Sequence, residues 1–234
     1  MAAGEGRRLR PLTERWPKPV LPIDGRPVLA TLLHELAQAG LARVWIVVGH
    51  LPGQVRSLAG DGRAFGLEVR YAEQPEARGS ADAVSRALEA GATPPLLVSA
   101  ADTVFEPGTV ARARECWLAS GTAGALAVRS VAAEELPERS AVRVGDGRLL
   151  SVVEKPPPGG SGSPLAGAPL WFLGAELCAG LDDLPGPPFE LASLAQRAIE
   201  RGLALAAVEI GPTRDLTRPE DVVRENFAYL SRGR

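Results

Sequence analysis

The sequence predicts an α/β fold: a doubly wound, mostly parallel sheet with helices on both faces and a small hairpin insertion. Three observations predict it. Continuous apolar runs at 43–48 (RVWIVV) and 96–99 (LLVS) have the pattern of strands buried on both faces. Segments of helical spacing alternate with the strands. Late in the chain Gly145-Asp146-Gly147, flanked by two strand-like runs, is a strong hairpin signal.

Taken in order, Asp24-Gly25 forms a turn and Pro27 suits a first helical position. Val28, Leu29, Leu32, Leu33 and Leu36 follow helical spacing until Gly40. After the 43–48 strand come a weak helix at 54–59 and an alternating strand at 67–72. Residues 80–90 read as a helix with Ser80 as N-cap, and strand 96–99 ends at Ala100-Ala101-Asp102. A helix at 109–119 and a strand at 123–128 precede the hairpin arms 141–144 and 148–153. Residues 156–164 (PPPGGSGSP) form a loop, 170–173 a strand, 189–201 a helix stopped by Gly202, and 203–210 a strand. A closing helix spans 219–230.

Composition narrows the function. The 234 residues fit a single domain, 1–234, of which 45% are hydrophobic and 23% charged, an ordinary globular balance. A net charge of −2 argues against nucleic acid as the main partner. No apolar run reaches about 18 residues and no signal peptide is visible, so no membrane partner is expected. Cys116 and Cys178 lack metal-ligand spacing and read as buried small hydrophobes in a reducing, cytoplasmic setting. His34 and His50 have no partner spacing and read as non-catalytic. All but two of the 26 basic residues are arginine, and both exceptions, Lys18 and Lys155, directly precede a proline. Lysine supplies a compact charge where a guanidinium does not fit, so both read as site residues.

In doubly wound sheets ligands bind beyond the carboxyl ends of the strands. That rule selects Asp102 after strand 96–99 and Asp215 after strand 203–210. Thr217-Arg218-Pro219-Glu220 reads as a capping box that starts the last helix and leaves Asp215 without a capping duty. Two carboxylates from separate strand ends suit a magnesium ion completed by substrate phosphates. At the N-terminus Gly4 and Gly6 allow backbone N–H groups to approach an anion, and the arginines beside them match phosphate. Gln74 carries a carboxamide fit for a nucleobase edge, and Gly79 permits close approach of a flat ring. Dinucleotide-fingerprint, Walker A and nucleophile-elbow motifs are absent.

Ala2-Ala3-Gly4-x-Gly6-x-Arg8-Leu9-x-Pro11-Leu12-Thr13 followed by Pro17-Lys18-Pro19-x-Leu21-Pro22 resembles the signature of the sugar-1-phosphate nucleotidyltransferases, which include glucose-1-phosphate thymidylyltransferases and mannose-1-phosphate guanylyltransferases. The similarity continues through Gly79-Ser80-Ala81-Asp82-Ala83, Asp102, Glu154-Lys155-Pro156 and Asp215. It implies a Rossmann-like nucleotidyltransferase fold and the reaction NTP + sugar 1-phosphate → NDP-sugar + pyrophosphate. By the same resemblance Arg8 holds the β- and γ-phosphates and Lys18 the α-phosphate. Asp102 and Asp215 hold Mg2+, Gln74 and Gly79 the base, Glu154 the sugar hydroxyls and Lys155 the sugar phosphate.

Two departures stand out. Only Met1, Ala2 and Ala3 precede Gly4, so the family's first strand is expected to be missing, through a late start codon or truncation. The family's Asn-Ala-Gly is replaced by Gly167-Ala168-Pro169, so one sugar or phosphate contact is lost or replaced. Two alternatives follow: transfer to a non-sugar phosphate such as phosphocholine, or a degenerate nucleotide-binding regulatory domain.

Overall fold

The computed structural model describes residues 1–157 and 163–227. Its strands are β1 (Pro22–Ile23), β2 (Arg26–Pro27), β3 (Arg43–Val48), β4 (Glu68–Glu73), β5 (Leu96–Ser99), β6 (Thr103–Val104), β7 (Gly124–Ser130), β8 (Ser140–Gly145), β9 (Arg148–Glu154), β10 (Leu165–Leu173), β11 (Leu205–Glu209) and β12 (Arg214–Asp215). The α-helices are α1 (Val28–Gln38), α2 (Pro52–Ala59), α3 (Ser80–Glu89), α4 (Thr109–Ser120), α5 (Ala175–Cys178), α6 (Leu191–Glu200) and α7 (Pro219–Asn226). Part of the expected 156–164 loop and the end of the expected 219–230 helix lie outside the described residues.

Internal packing divides the chain into two compact units. The first comprises the described residues of Met1–Ala77, Ala100–Val110 and Thr213–Arg234; the second comprises those of Arg78–Ser99 and Ala111–Pro212.

In the first unit β3 and β4 run parallel, from Arg43↔Glu68 to Val48↔Glu73. Only the second half of β3 is buried; in the first half the Arg43 and Arg70 guanidinium groups lie 5.7 and 5.5 Å from the centre of the Trp45 ring. Where the family's first strand is expected to be missing, an isolated parallel bridge joins Ala2 to Val48. The Ala2 N–H donates to Val47 O at 2.7 Å, and the Ala101 N–H donates to Met1 O at 2.9 Å. The β1–β2 hairpin turns at Asp24 (φ 52°) and Gly25 (φ 71°), a two-residue loop with both central residues left-handed. Asn226, the chain's single asparagine, accepts the Gly25 N–H and donates to Pro22 O and Val222 O, each at 2.8 Å, pinning that hairpin to α7. Leu9, Leu21, Ile23, Val28 and Leu216 form one buried cluster.

The second unit is built on a six-stranded sheet in the order β5-β10-β7-β11-β9-β8. The expected mostly parallel sheet is here corrected to a mixed one. Within this sheet only β7 and β11 pair in parallel, while β10 runs antiparallel to both β5 and β7. The reason is connectivity: β10 follows the β8–β9 hairpin instead of a helical crossover, so nothing obliges it to run parallel to its neighbours. Its register against β7 breaks between Gly167 and Trp171, around Pro169, which has no N–H for the ladder. Leu126, Leu170, Phe172, Leu173, Leu191 and Leu205 fill the core of this unit. The hairpin itself turns at Asp146 (φ 49°) and Gly147 (φ 71°), as its sequence predicts.

Both expected helix starts are corrected. Ser80 is the first residue of α3, and its hydroxyl bonds elsewhere. At α7 the expected Thr217–Glu220 box gives way to Asp221, whose Oδ2 accepts the backbone N–H groups of Thr217 and Arg218, both at 2.8 Å. Burial pushes the Asp221 carboxyl up, but these two N–H groups and the Arg224 guanidinium outweigh it and hold the carboxyl below its ordinary value. A depressed carboxyl contributes stability that is full above its unfolded pKa of about 3.9 and is lost as pH falls through the folded value. Asp221→Ala is therefore expected to lower stability at pH 7 by about 1–2 kcal/mol, with the difference fading in denaturation curves taken progressively below about pH 3.9.

Cys178 is buried as expected, whereas Cys116 is exposed on α4. His34 packs edge-on against Phe65, with ring centroids 5.1 Å apart. Among the described residues no helix is long and apolar enough to cross a membrane.

Candidate active site

The parallel stretches of the first unit end together, and their carboxyl ends carry the loops that matter. The Gln74 N–H donates to Val48 O at 2.8 Å, and the His50 N–H donates to Ala3 O at 3.1 Å. Gly49 lies so close to this junction that a Cβ would stand 2.7 Å from Gln74 O and 2.9 Å from Ala3 O. The loop after Ala3, the connection after Val48 and the segment at Gln74 therefore leave one edge of the unit.

Within the first loop Gly6 adopts φ +62° and starts a short 3-10 turn over Arg7–Leu9. Thr13, almost fully buried, donates its hydroxyl to Gly6 O at 2.9 Å. A Cβ on Gly6 would meet Thr13 Cγ2 at 2.9 Å, while at Gly4 it would meet nothing within 4 Å. Leu9 plugs the turn into the core cluster and Arg8 beside it is exposed. Glu5 neutralises part of the basic run, pairing with Arg7 at 2.8 Å and Arg10 at 3.4 Å.

Lys18 Nζ lies 2.5 Å from Asp102 Oδ2, with the two side chains only 17% and 27% exposed. Asp215 pairs with Thr103 across the antiparallel β12–β6 ladder, one residue from Asp102. Leu216, fully buried, anchors it from the same cluster that holds Leu9. Arg214, on the other side of Asp215, is fixed by Asp24 at 2.5 Å and Glu225 at 2.6 Å. Asp215 Oδ1 accepts the Thr217 hydroxyl at 3.2 Å. The first unit thus holds Gly4, Gly6, Arg8, Lys18, Gln74, Asp102 and Asp215, with Gln74 buried.

Gly79, Glu154 and Lys155 belong to the second unit. Gly79 has φ 112° and ψ 172°, and a Cβ there would stand 2.2 Å from Phe189 O. The close approach Gly79 permits is thus made by the Phe189 backbone, through Phe189 N–H to Arg78 O at 2.7 Å and Ala81 N–H to Phe189 O at 2.9 Å. Ser80 secures the same junction: its hydroxyl donates to Glu190 Oε2 at 2.5 Å and accepts the Leu191 N–H at 2.8 Å. Glu154 accepts a very short hydrogen bond from the Ser140 hydroxyl across the hairpin. Lys155 follows in the left-handed region at φ 45°, its Nζ 3.7 Å from Glu154 Oε1. A left-handed lysine is strained by roughly 1–2 kcal/mol, and such strain gathers at functional positions.

The model of a single family, described as nucleotidyl transferase, matches residues 1–178, most of the chain. The chain belongs to the nucleotidyl transferase family. Among its relatives in that family, the low-salt glycan biosynthesis nucleotidyltransferase Agl11 of Haloferax volcanii is 26% identical over 98% of this chain and 65% of its own length. The CMP-5'-(3-aminopropyl)phosphonate synthase of Streptomyces rubellomurinus is 36% identical over 56% of this chain and 21% of its own length. The chain therefore spans less than two thirds of these curated relatives. The fold matches that of a UDP-glucose pyrophosphorylase complexed with UDP-glucose, with a TM-score of 0.86 at 21% identity over 99% of this chain and 97% of that one.

Several further residues of this chain support the loop or the strand ends, most without a local signal in the sequence. His50 Nε2 bonds Thr13 O at 2.7 Å and Gln54 Nε2 donates to Arg15 O at 2.6 Å, so both hold the first loop. The strand-end rule that selected Asp102 also pointed to His50, two residues beyond β3. Ser140 and Glu190 act through partners more than ten residues away and carried no local signal.

Proposed function

We propose that residues 1–234 act as one cytoplasmic nucleotidyltransferase domain that converts an NTP and a sugar 1-phosphate into an NDP-sugar and pyrophosphate. The observation that carries this reading is the half-buried Lys18–Asp102 pair with Asp215 on the strand paired to Thr103: a cation held against one carboxylate, with a second carboxylate one ladder position away. The attacking sugar phosphate is ionised at pH 7, so no general base is needed. The task is to bring anions together and stabilise charge at the α-phosphorus during in-line displacement.

Arg8 takes the β- and γ-phosphates and Lys18 the α-phosphate. The open space at Gly4 and the left-handed turn at Gly6 let backbone N–H groups approach the same oxygens. Gln74 meets the base, Glu154 the sugar hydroxyls and Lys155 the sugar phosphate. Asp102 and Asp215 offer hard oxygen donors that suit Mg2+. Among the described residues no group of three or more His, Cys, Asp or Glu forms a complete metal cluster. When bound, Mg2+ supplies positive charge against the phosphates.

A second reading, transfer to a non-sugar acceptor, is favoured by Gly167-Ala168-Pro169 in place of Asn-Ala-Gly and by the relative whose name specifies a phosphonate product. Pyrophosphate release, measured with Mg2+ across four NTPs and a panel of sugar 1-phosphates plus phosphocholine, decides. Release that requires a sugar 1-phosphate is expected. Release only with phosphocholine selects the second reading, and nucleotide binding without release from any pair leaves a regulatory domain.

A further inference from the structure

We infer that His50 is a positioning residue that closes the phosphate loop by gripping both of its ends; this rests on the reading of that loop as the nucleotide phosphate site. The backbone N–H of His50 donates to Ala3 O at 3.1 Å, where the loop begins. Its ring Nε2 lies 2.7 Å from Thr13 O, where the loop ends. A carbonyl oxygen only accepts, so Nε2 carries the proton and is the donor. One residue thereby ties together the two termini of the segment that contains Gly4, Gly6 and Arg8.

The grip is passed inward. Thr13 is fixed from outside through its carbonyl, and its hydroxyl fixes Gly6 O at 2.9 Å. Gly6 O also accepts the Leu9 N–H at 2.9 Å, which closes the turn bearing Arg8. The path from His50 to the Arg8 backbone thus consists of three short hydrogen bonds and one buried threonine. Gln54, in the first turn of α2, adds a second hold on Arg15 O at 2.6 Å. A loop ordered before its ligand arrives loses less freedom on binding, so removing the clamp weakens affinity for phosphate without removing any group that touches it. Both donors bond backbone carbonyls of this one loop. Their consequence is the conformation of that loop.

Pyrophosphate is the probe, because it presents phosphate groups without a base or sugar. Calorimetric titration of the full chain with magnesium pyrophosphate is expected to show binding by the wild type and its loss in Arg8→Ala. His50→Phe keeps a ring of similar size and removes the donor; it should bind about three- to thirtyfold more weakly, the range for one part-buried hydrogen bond whose acceptor is left unpaired. His50→Gln restores an N–H donor and should return to within about threefold of wild type. In turnover, His50→Phe should raise KM for the NTP while leaving KM for the acceptor unchanged, a split that general destabilisation does not produce. Should His50→Phe fail to fold, His50→Leu takes its place in the same comparison with His50→Gln, and Gln54→Ala, at a half-buried position, tests the second hold on the loop with a weakening of about two- to fivefold. Wild-type affinity in His50→Phe, or no rescue by His50→Gln, overturns the clamp while the phosphate loop stands. Absence of pyrophosphate binding in the wild type overturns both.

Discussion

Lys18→Ala is expected to lower turnover on the order of 10²–10³, the effect of removing one preorganised electrostatic donor from a site where charge develops. The magnitude follows from where Lys18 sits. Its ammonium is largely withdrawn from water and already oriented by Asp102 at 2.5 Å, so its charge is neither screened nor free to wander. Folding is much less affected, because Asp102 keeps enough exposure to rehydrate once its partner is gone. Lys18→Arg should rescue poorly: Pro17 and Pro19 are buried on either side, and a planar guanidinium is broader than the ammonium it replaces. The informative readout is turnover at saturating Mg2+. If Lys18 served only to neutralise Asp102, the variant would change its metal requirement and recover full turnover once metal was saturating. A deficit that persists assigns Lys18 to the phosphate.

Gly79→Ala is expected to destabilise the protein by about 3–5 kcal/mol, from a backbone region open essentially to glycine plus overpacking. At φ 112° the added Cβ would stand 2.2 Å from Phe189 O and 2.7 Å from its C and N, all backbone atoms with no side chain to swing aside. Relief requires breaking the Arg78–Phe189 and Phe189–Ala81 hydrogen bonds, and with them the Ser80–Glu190 junction. Set against a net stability of roughly 5–15 kcal/mol, this removes a large share. Gly53→Ala is the contrast. Gly53 lies in α2, where an added Cβ would meet nothing within 4 Å, and the substitution should gain about 0.5–1 kcal/mol. Denaturant midpoints of the two variants should move in opposite directions; equal midpoints would contradict the close approach at Phe189.

Legibility in the sequence followed the range of the forces involved. β3 and β5 were visible because an unbroken apolar run leaves little else for the segment to do, and the 145–147 turn because Gly and Asp readily take left-handed backbone. The direction of β10 was not visible, since nothing in LAGAPLWFL says which neighbours it will pair with. Both misread helix starts share a cause. Thr217 and Ser80 have the composition of N-caps, but Asp221 competed for the first and Glu190, far along the chain, captured the hydroxyl of the second. At the site, strand-end position and the rarity of lysine singled out Lys18, Lys155, Asp102 and Asp215. That Lys18 and Asp102 would meet, or that His50 would hold Thr13, depends on tertiary contacts between separate loops. Gly79 was noted for the space it opens, and that space is filled by this chain's own backbone.

The central claim, transfer of a nucleotidyl group from an NTP to a sugar phosphate, is tested most directly by following a label at the α-phosphorus. With α-labelled NTP, sugar 1-phosphate and Mg2+, label should appear in the NDP-sugar with one pyrophosphate released per product molecule. Label recovered as nucleoside monophosphate, or retained on the protein, would contradict it.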